Sequence, residues 1–281
     1  MKLNEHKKYL LLSTVTVAVL FVLSLLLAYF TTSRDPVTVF FKRLYPSAFI
    51  GARVISINDI QQAQALGMSF GMTKSEATDS FLDGEKSAAL ADKLNIRIDS
   101  NFAANEMRFY TKGNEAEYDR LLDEKFGGSD HWFYKYIVNP QVIDAGLRMK
   151  YYNDTRATSP AYKKAQATLE RLSKGERFED LARTESDDKI TAQIGGDLGF
   201  YESGQMLPEL EDQVSVSALG EVRKDVITSR LGYHIIYPVE QSESNGKKTW
   251  HVKHILFVPE GYDQWLDQQI SGINVAYLKR Y

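Results

Sequence analysis

The sequence predicts an α+β protein on three observations: a long apolar run near the N-terminus, a middle stretch with apolar residues at helical spacing, and a C-terminal half where short helical patterns alternate with β-type runs and glycine turns. Its 281 residues suffice for one or two compact domains beyond any targeting segment. A formal net charge of -3 carries no basic footprint, so no nucleic-acid partner is expected. The chain has no cysteine, which excludes disulfides, thiolate catalysis and zinc-thiolate sites.

From Tyr9 to Phe30 no residue is charged and Leu, Val and Ala dominate, which matches the ~20 apolar residues that span a hydrocarbon core. A cleaved signal peptide is the competing reading, but its apolar region covers only ~7–15 residues and ends in a small-x-small site. Ala28-Tyr29-Phe30 is a poor cleavage site. Residues 1–34 are therefore expected to form a cytoplasmic tip and a transmembrane helix, with the membrane contacted through residues 9–30. Lys2, Lys7 and Lys8 precede the run and Arg34, Lys42 and Arg43 follow it, so basic residues alone leave its orientation open.

Residues 35–155 read mainly as helices: 61–70, 75–94 and 115–126 carry apolar residues at three- and four-residue spacing, punctuated by Asp83-Gly84, Gly113-Asn114, Gly127-Gly128 and Asn139-Pro140. The aromatic residues Phe40, Phe41, Phe102, Phe109, Tyr110, Trp132, Phe133 and Tyr134 suit either a core or an adhesive surface. Further on, 159–173 is a helix with Pro160 near its start, 178–183 a shorter one, and 226–227, 233–239 and 250–258 are strands. Asn245-Gly246, between the last two, is a hairpin signal.

No P-loop, dinucleotide fingerprint, HExxH or GxSxG occurs. The distinctive residues are Ser186-Asp187-Asp188, Gly195-Gly196-Asp197-Leu198-Gly199-Phe200, Gly204-Gln205-Met206-Leu207-Pro208-Glu209-Leu210-Glu211, Gly232-Tyr233-His234-Ile235-Ile236 and His254-Ile255-Leu256-Phe257. Singly, each has an ordinary structural reading: glycines for turns, aspartates for caps, a histidine inside a strand. Their order carries more. From Lys174-Gly175-Glu176-Arg177-Phe178 to His234-Ile235-Ile236 the chain resembles the parvulin (rotamase, PpiC-type) domain over about seventy residues, motif by motif.

The resemblance implies a small antiparallel sheet flanked by helices, in residues 156–258. In that family an H-I-L strand comes first; here residues 147–159 lack it, and His254-Ile255-Leu256 supplies it from the C-terminal side. The family's first and last strands are neighbours, so the displaced strand preserves the sheet. A truncated second domain beginning near Trp250 is the alternative. Face alternation distinguishes geometries: an ideal two-residue turn at 245–246 pairs 254 with 237 and puts His234 and His254 on opposite faces. A three- or five-residue loop, or a bulge near Pro238, brings them together.

By the same resemblance Asp188, His234 and His254 are the catalytic group, and Met206, Leu210, Ser229 and Leu231 contact the substrate; Leu210 stands where the family usually has phenylalanine. No cofactor or metal is implied. Residues 54–60 and 91–99 resemble the helical chaperone domain of SurA- and PrsA-like foldases, and 259–281 the segment that packs back on it, with Trp265 as anchor. The partners implied are unfolded or partly folded polypeptides with X-Pro bonds, met outside the cytoplasm by a membrane-tethered peptidyl-prolyl isomerase and chaperone. A holdase on the same scaffold, or an assembly factor for one membrane partner, are the alternatives.

Overall fold

The computed structural model describes residues 2–31, 35–96, 100–111, 114–244 and 246–278, with the backbone alone for 2–15, 100–102, 109 and 110. The chain divides into two compact units, residues 1–89 with 272–281, and residues 90–271.

The first unit holds helices α1 (Lys2–Phe30), α2 (Pro36–Leu44), α3 (Ile57–Ser69) and most of α4 (Lys74–Lys93), with strands β1 (Pro46–Ile50), β2 (Arg53–Ser56) and the chain's last strand, β7 (Val275–Tyr277). The strands form one sheet in the order β2-β1-β7. Asp35 caps α2 by accepting from the Val37 and Thr38 amides, and Ser56 and Asp59 form a capping box on α3. Ala48, Ile50, Ile55, Ile60, Leu82 and Ala89 close the core between sheet and helices.

The expected transmembrane anchor requires correction. Among the described residues no helix is long and apolar enough to cross a membrane. The described side chains of α1 begin at Thr16. Residues 9–15 of the expected span lie outside the described side chains. The visible turns are also tied to their own unit: Ser24 hydrogen-bonds Tyr45, Tyr29 Oη donates to the Pro46 carbonyl, and Ala28 is fully buried.

The second unit opens with α5 (Ser100–Thr111), α6 (Glu115–Phe126), α7 (Asp130–Phe133), a π-helical turn (Tyr134–Val138) and α8 (Asn139–Thr155). There follow α9 (Pro160–Ser173), α10 (Phe178–Glu185), α11 (Lys189–Ala192), β3 (Asp197–Glu202), α12 (Pro208–Ser215), β4 (Ile227–Ser229), β5 (Gly232–Ser244), β6 (Lys247–Phe257) and α13 (Tyr262–Ser271). Phe133 is buried, whereas Phe40 is exposed; the side chains of Phe102, Phe109 and Tyr110 lie outside those described. Trp265 of α13 lies against Tyr151 of α8, and Tyr262 donates to Asp144 at 2.7 Å while the Arg148 guanidinium covers its ring.

Strands β3, β6, β5 and β4 make a four-stranded antiparallel sheet in that spatial order. The C-terminal strand β6 thus sits inside the sheet, between β3 and β5. One face, carrying Tyr233, Ile235, Ile255 and Phe257, packs beneath α9 and α10, with Tyr162 against Tyr233 and Phe178 against Tyr237. On the other, Ile236, Trp250 and Val252 pack with Met206, Leu210, Val214 and Ile227.

The β5–β6 pairing begins as the two-residue turn dictates, with Ser244 opposite Lys247. Continued without interruption it would set residue 254 against Tyr237. Between Pro238 and Glu240 the register shifts by one, so that His254 lies opposite Ile236 and Leu256 opposite His234. Residues 234 and 236 point to one face because side chains alternate along a strand, and the bulge therefore puts both histidines on that face. Proline favours such a site, having no amide hydrogen to lose from the ladder.

Gly196 lies where β6 meets the loop before β3. Its φ is +79°, and an added Cβ would stand 2.3 Å from the His254 carbonyl oxygen, which is backbone and cannot swing aside. Gly175 has a similar φ of +93° with nothing within 4 Å. Gly196→Ala is expected to destabilise the protein by about 2–4 kcal/mol and Gly175→Ala by about 1 kcal/mol, the difference being the overpacking at 196. Urea denaturation of the two variants measures this, and equal losses would contradict the close approach.

Candidate active site

Both histidines are buried, His234 fully. Their Nδ1 atoms are 3.2 Å apart. Beyond them a continuous chain of hydrogen bonds runs across the sheet face. Ser229 Oγ is 2.7 Å from His234 Nε2, and His254 Nε2 is 3.0 Å from Asp188 Oδ2 and 3.2 Å from Thr191 Oγ1.

The donors in this chain follow from its acid end. An ionised carboxylate only accepts, so His254 carries its proton on Nε2 and offers a bare Nδ1. His234 must then donate from Nδ1, leaving its Nε2 to accept the Ser229 hydroxyl proton. Ser229 Oγ in turn accepts the Leu231 amide at 3.0 Å. With both rings neutral, each ring nitrogen in the row has one role, donor or acceptor.

Burial supports that neutral state. It pushes the His234 imidazole well below its ordinary value, with the neighbouring His254 adding to the shift and Asp188 opposing it. For His254 burial again lowers the value, against the hydrogen bond and charge of Asp188. Burial raises Asp188, but hydrogen bonds from Thr191 and His254 outweigh it and leave the carboxyl below the usual range.

Local structure fixes each member. Asp188 is the N-cap of α11: Oδ1 accepts the Ile190 and Thr191 amides while Oδ2 takes the Thr191 hydroxyl at 2.7 Å. Ser186 and Asp187 bind the Leu256 and Val258 amides, stapling this loop to β6 next to His254. Ser229 ends β4, and Arg230-Leu231 form the tight turn into β5, where Ser229 pairs with Gly232.

Met206 and Leu210 both lie in the apolar cluster on the histidine face, each 5% exposed, with Leu198, Tyr201 and Leu207 packed around them. Ser229 is fully buried and spends its hydroxyl on His234, whereas Leu231 is 47% exposed. The site residues expected from the sequence therefore separate into a polar row (Asp188, His254, His234, Ser229), a buried apolar pair (Met206, Leu210) and one exposed rim residue (Leu231).

Several contributors are not legible as such in the sequence. Thr191 bridges Asp188 and His254. Tyr201 packs on the apolar cluster and has its phenol pushed up, by burial first and then by the charge of Asp188. Glu211 accepts from Ser203 Oγ and the Gly204 amide, holding the turn before Met206, and Glu209 binds Arg230. Two acids in the first turn of a helix opening with Pro208 are ordinary dipole partners by pattern alone. Among the described residues, no group of His, Asp and Glu side chains is arranged to hold a metal ion.

Comparisons with known proteins place most of this unit among known sequences. Residues 147–240 match the family model described as Rotamase, PPIC-type PPIASE domain. Strand β6 and His254 lie beyond the matched residues. Foldase protein PrsA from Caldanaerobacter subterraneus is 37% identical over 112 residues, covering 36% of this chain and 36% of the relative. Foldase protein PrsA 2 from Bacillus cereus is 38% identical over 153 residues, covering 54% and 47%. Chaperone SurA from Chromohalobacter salexigens is 40% identical over 126 residues, covering 43% and 29%. The chain spans about half or less of the length of these relatives. Residues 147–240 are thus similar to a PPIC-type rotamase domain, in a chain similar to the PrsA foldases and SurA chaperones.

Proposed function

We propose that the protein is a peptidyl-prolyl cis–trans isomerase and chaperone that acts on unfolded or maturing polypeptides containing X-Pro bonds, outside the cytoplasm. The carrying observation is the meeting of His254 with His234 and Asp188, three residues that only the shifted β5–β6 register brings together.

Rotation about an amide is opposed by ~18–20 kcal/mol of resonance, so X-Pro bonds isomerise in roughly 10–100 s unaided. No covalent step or cofactor is needed to lower that barrier. Resonance places negative charge on the carbonyl oxygen of the planar amide, and twisting withdraws it. An ionised Asp188 beside the carbonyl disfavours the planar form more than the twisted one, while an apolar pocket at Met206 and Leu210 seizes the ring and excludes the water that stabilises the planar dipole. A thousandfold acceleration requires only ~4 kcal/mol from these effects together. The histidine row supports the reading indirectly, because neutral His254 holds Asp188 ionised and oriented.

A holdase without isomerase activity is the second reading, and the burial of Met206 and Leu210 favours it, since little of either is open to a proline ring. A protease-coupled assay on an X-Pro peptide separates the two. Isomerisation is expected, with Asp188→Asn and His254→Asn each lowering kcat/KM by roughly 10–100-fold. Suppression of client aggregation without any faster cis–trans conversion would leave the holdase.

The histidines also set a pH dependence. Both have folded values below the ordinary ~6.5, so the unfolded chain binds protons first as the pH falls and stability declines from about pH 6.5 downward. Urea unfolding between pH 7.5 and 5 is expected to show this decline, and His234→Asn to flatten it. His234 and His254 imidazole NMR signals that titrate near ~6.5 in the folded protein would refute the assignment.

A further inference from the structure

Arg230 lies one residue from the Ser229 end of the hydrogen-bond row, and its contacts reach two separate helices. Its backbone amide and Nε donate to Glu209 Oε1 at 3.0 and 2.8 Å, and Nη2 reaches Glu209 Oε2 at 3.0 Å. Nη1 and Nη2 also form a two-pronged pair with Glu106 of α5, both at 2.7 Å. The Glu106 side chain is fully buried, and those of Glu209 and Arg230 are 4% and 13% exposed.

This triad is a poor way to gain stability. Three charges taken out of water cost several kcal/mol each before attraction repays them, and two carboxylates against one guanidinium leave a net negative charge inside the unit. What the triad gives is placement. A planar guanidinium with fixed donor directions holds a distance and an angle that an apolar contact leaves loose.

The parts it places are those the site depends on. Glu209 stands in the first turn of α12, beside Leu210 of the apolar pair. Arg230 stands in the turn whose Ser229 terminates the histidine row and whose Leu231 forms the exposed rim. Glu106 adds a partner from α5, outside the residues 147–240 that match the rotamase model.

We propose that Arg230 is a positioning residue of the isomerase site, fixing the span between Leu210 and Ser229, and that Glu106 anchors it so that helix α5 forms a working part of that site. The proposal rests on the isomerase reading for its consequence in rate but not for its consequence in geometry. Loss of the Glu106 anchor removes the two-pronged pair to α5, lets the 229–231 turn shift and alters the Ser229–His234 bond. A displacement of about 1 Å at such a distance from the reacting atoms costs up to roughly 100-fold in rate.

Glu106→Gln in the full chain keeps the volume and one acceptor and removes the charge; Arg230→Lys keeps the charge but lacks the planar fork. The imidazole 15N shifts of His234 and His254, kcat/KM for an X-Pro peptide and the thermal midpoint are measured on each. Arg171→Gln, which breaks the ion pairs with Glu176 and Glu185 away from the histidine row, serves as control. Both triad variants are expected to move the His234 Nε2 shift and to lower kcat/KM by about 5–100-fold, with Arg171→Gln changing neither. Unchanged imidazole shifts in folded Glu106→Gln or Arg230→Lys overturn the proposal, whatever the activity. If the unaltered protein proves inactive, the isomerase reading fails by itself, and the 15N shifts still decide whether Arg230 positions the histidine row. Should Glu106→Gln not fold, Arg230→Lys carries the same comparison.

Discussion

A hairpin whose two strands are out of simple register governs the rest of this site. Ser244 pairs with Lys247, as a two-residue turn requires, and one extra residue between Pro238 and Glu240 resets the ladder before the histidines are reached. Since side chains alternate faces at every step, that single residue decides whether His254 faces His234 or the helices on the far side of the sheet. The cost falls where it is cheapest, at a proline that could not complete the ladder anyway. Gly196 and Gly232 then allow the close approach of backbone to His254 and Phe257 on either flank, each at a position where a Cβ would meet a carbonyl oxygen within 2.4 Å.

Once the histidines share a face, their neutrality is enforced twice. Burial disfavours a charge on either ring, and the one-directional hydrogen-bond row has no place for an added proton without reversing a donor. Protonating His254 at Nδ1 would oblige His234 to donate from Nε2 towards Ser229, whose hydroxyl would need another acceptor. Asp188 ties this electronic arrangement to local folding because the same carboxylate caps α11. Its two oxygens divide the work, one mainly for the helix amides and one for Thr191 and His254. A substitution there disturbs the helix start and the row together.

The mixed helix-and-sheet character and the main helices of residues 57–69, 74–93, 115–126 and 160–173 were legible from apolar periodicity and from Pro160. The Asn245-Gly246 turn was legible as a turn, although Asn245 itself lies outside the described residues. The lateral position of His254 was legible only as a choice between a regular hairpin and an irregular one, since no residue type announces a bulge; Pro238 marks where one is tolerated. Strand β3 and helix α12 were hidden because glycines interrupt the first and the second is one short amphipathic turn pair. The Glu106–Arg230–Glu209 triad was invisible for a different reason: its members are 124 and 21 residues apart in sequence, and charge is ordinarily a surface signal. The anchor expected from residues 9–30 illustrates the opposite error, in which composition alone carried an inference that the described part of α1 does not support.

The polar row is rigid, but the apolar pair is closed, and the two facts constrain how a proline could enter. Helix α12 is held at its start by Glu209 on Arg230, and the turn before it by Glu211 on the Gly204 amide. Moving the helix as a body would break charged hydrogen bonds at both points, each worth roughly 1.5–3 kcal/mol. Rotating side chains breaks none. Met206 is unbranched and packs adaptably, and the partly buried Leu198, Tyr201 and Leu207 pack against the cluster. On the isomerase reading proposed above, entry by rotamer change of Met206 and its neighbours, with the backbone of α12 kept in place by the two glutamates, is therefore the low-cost route for a proline ring into this cluster.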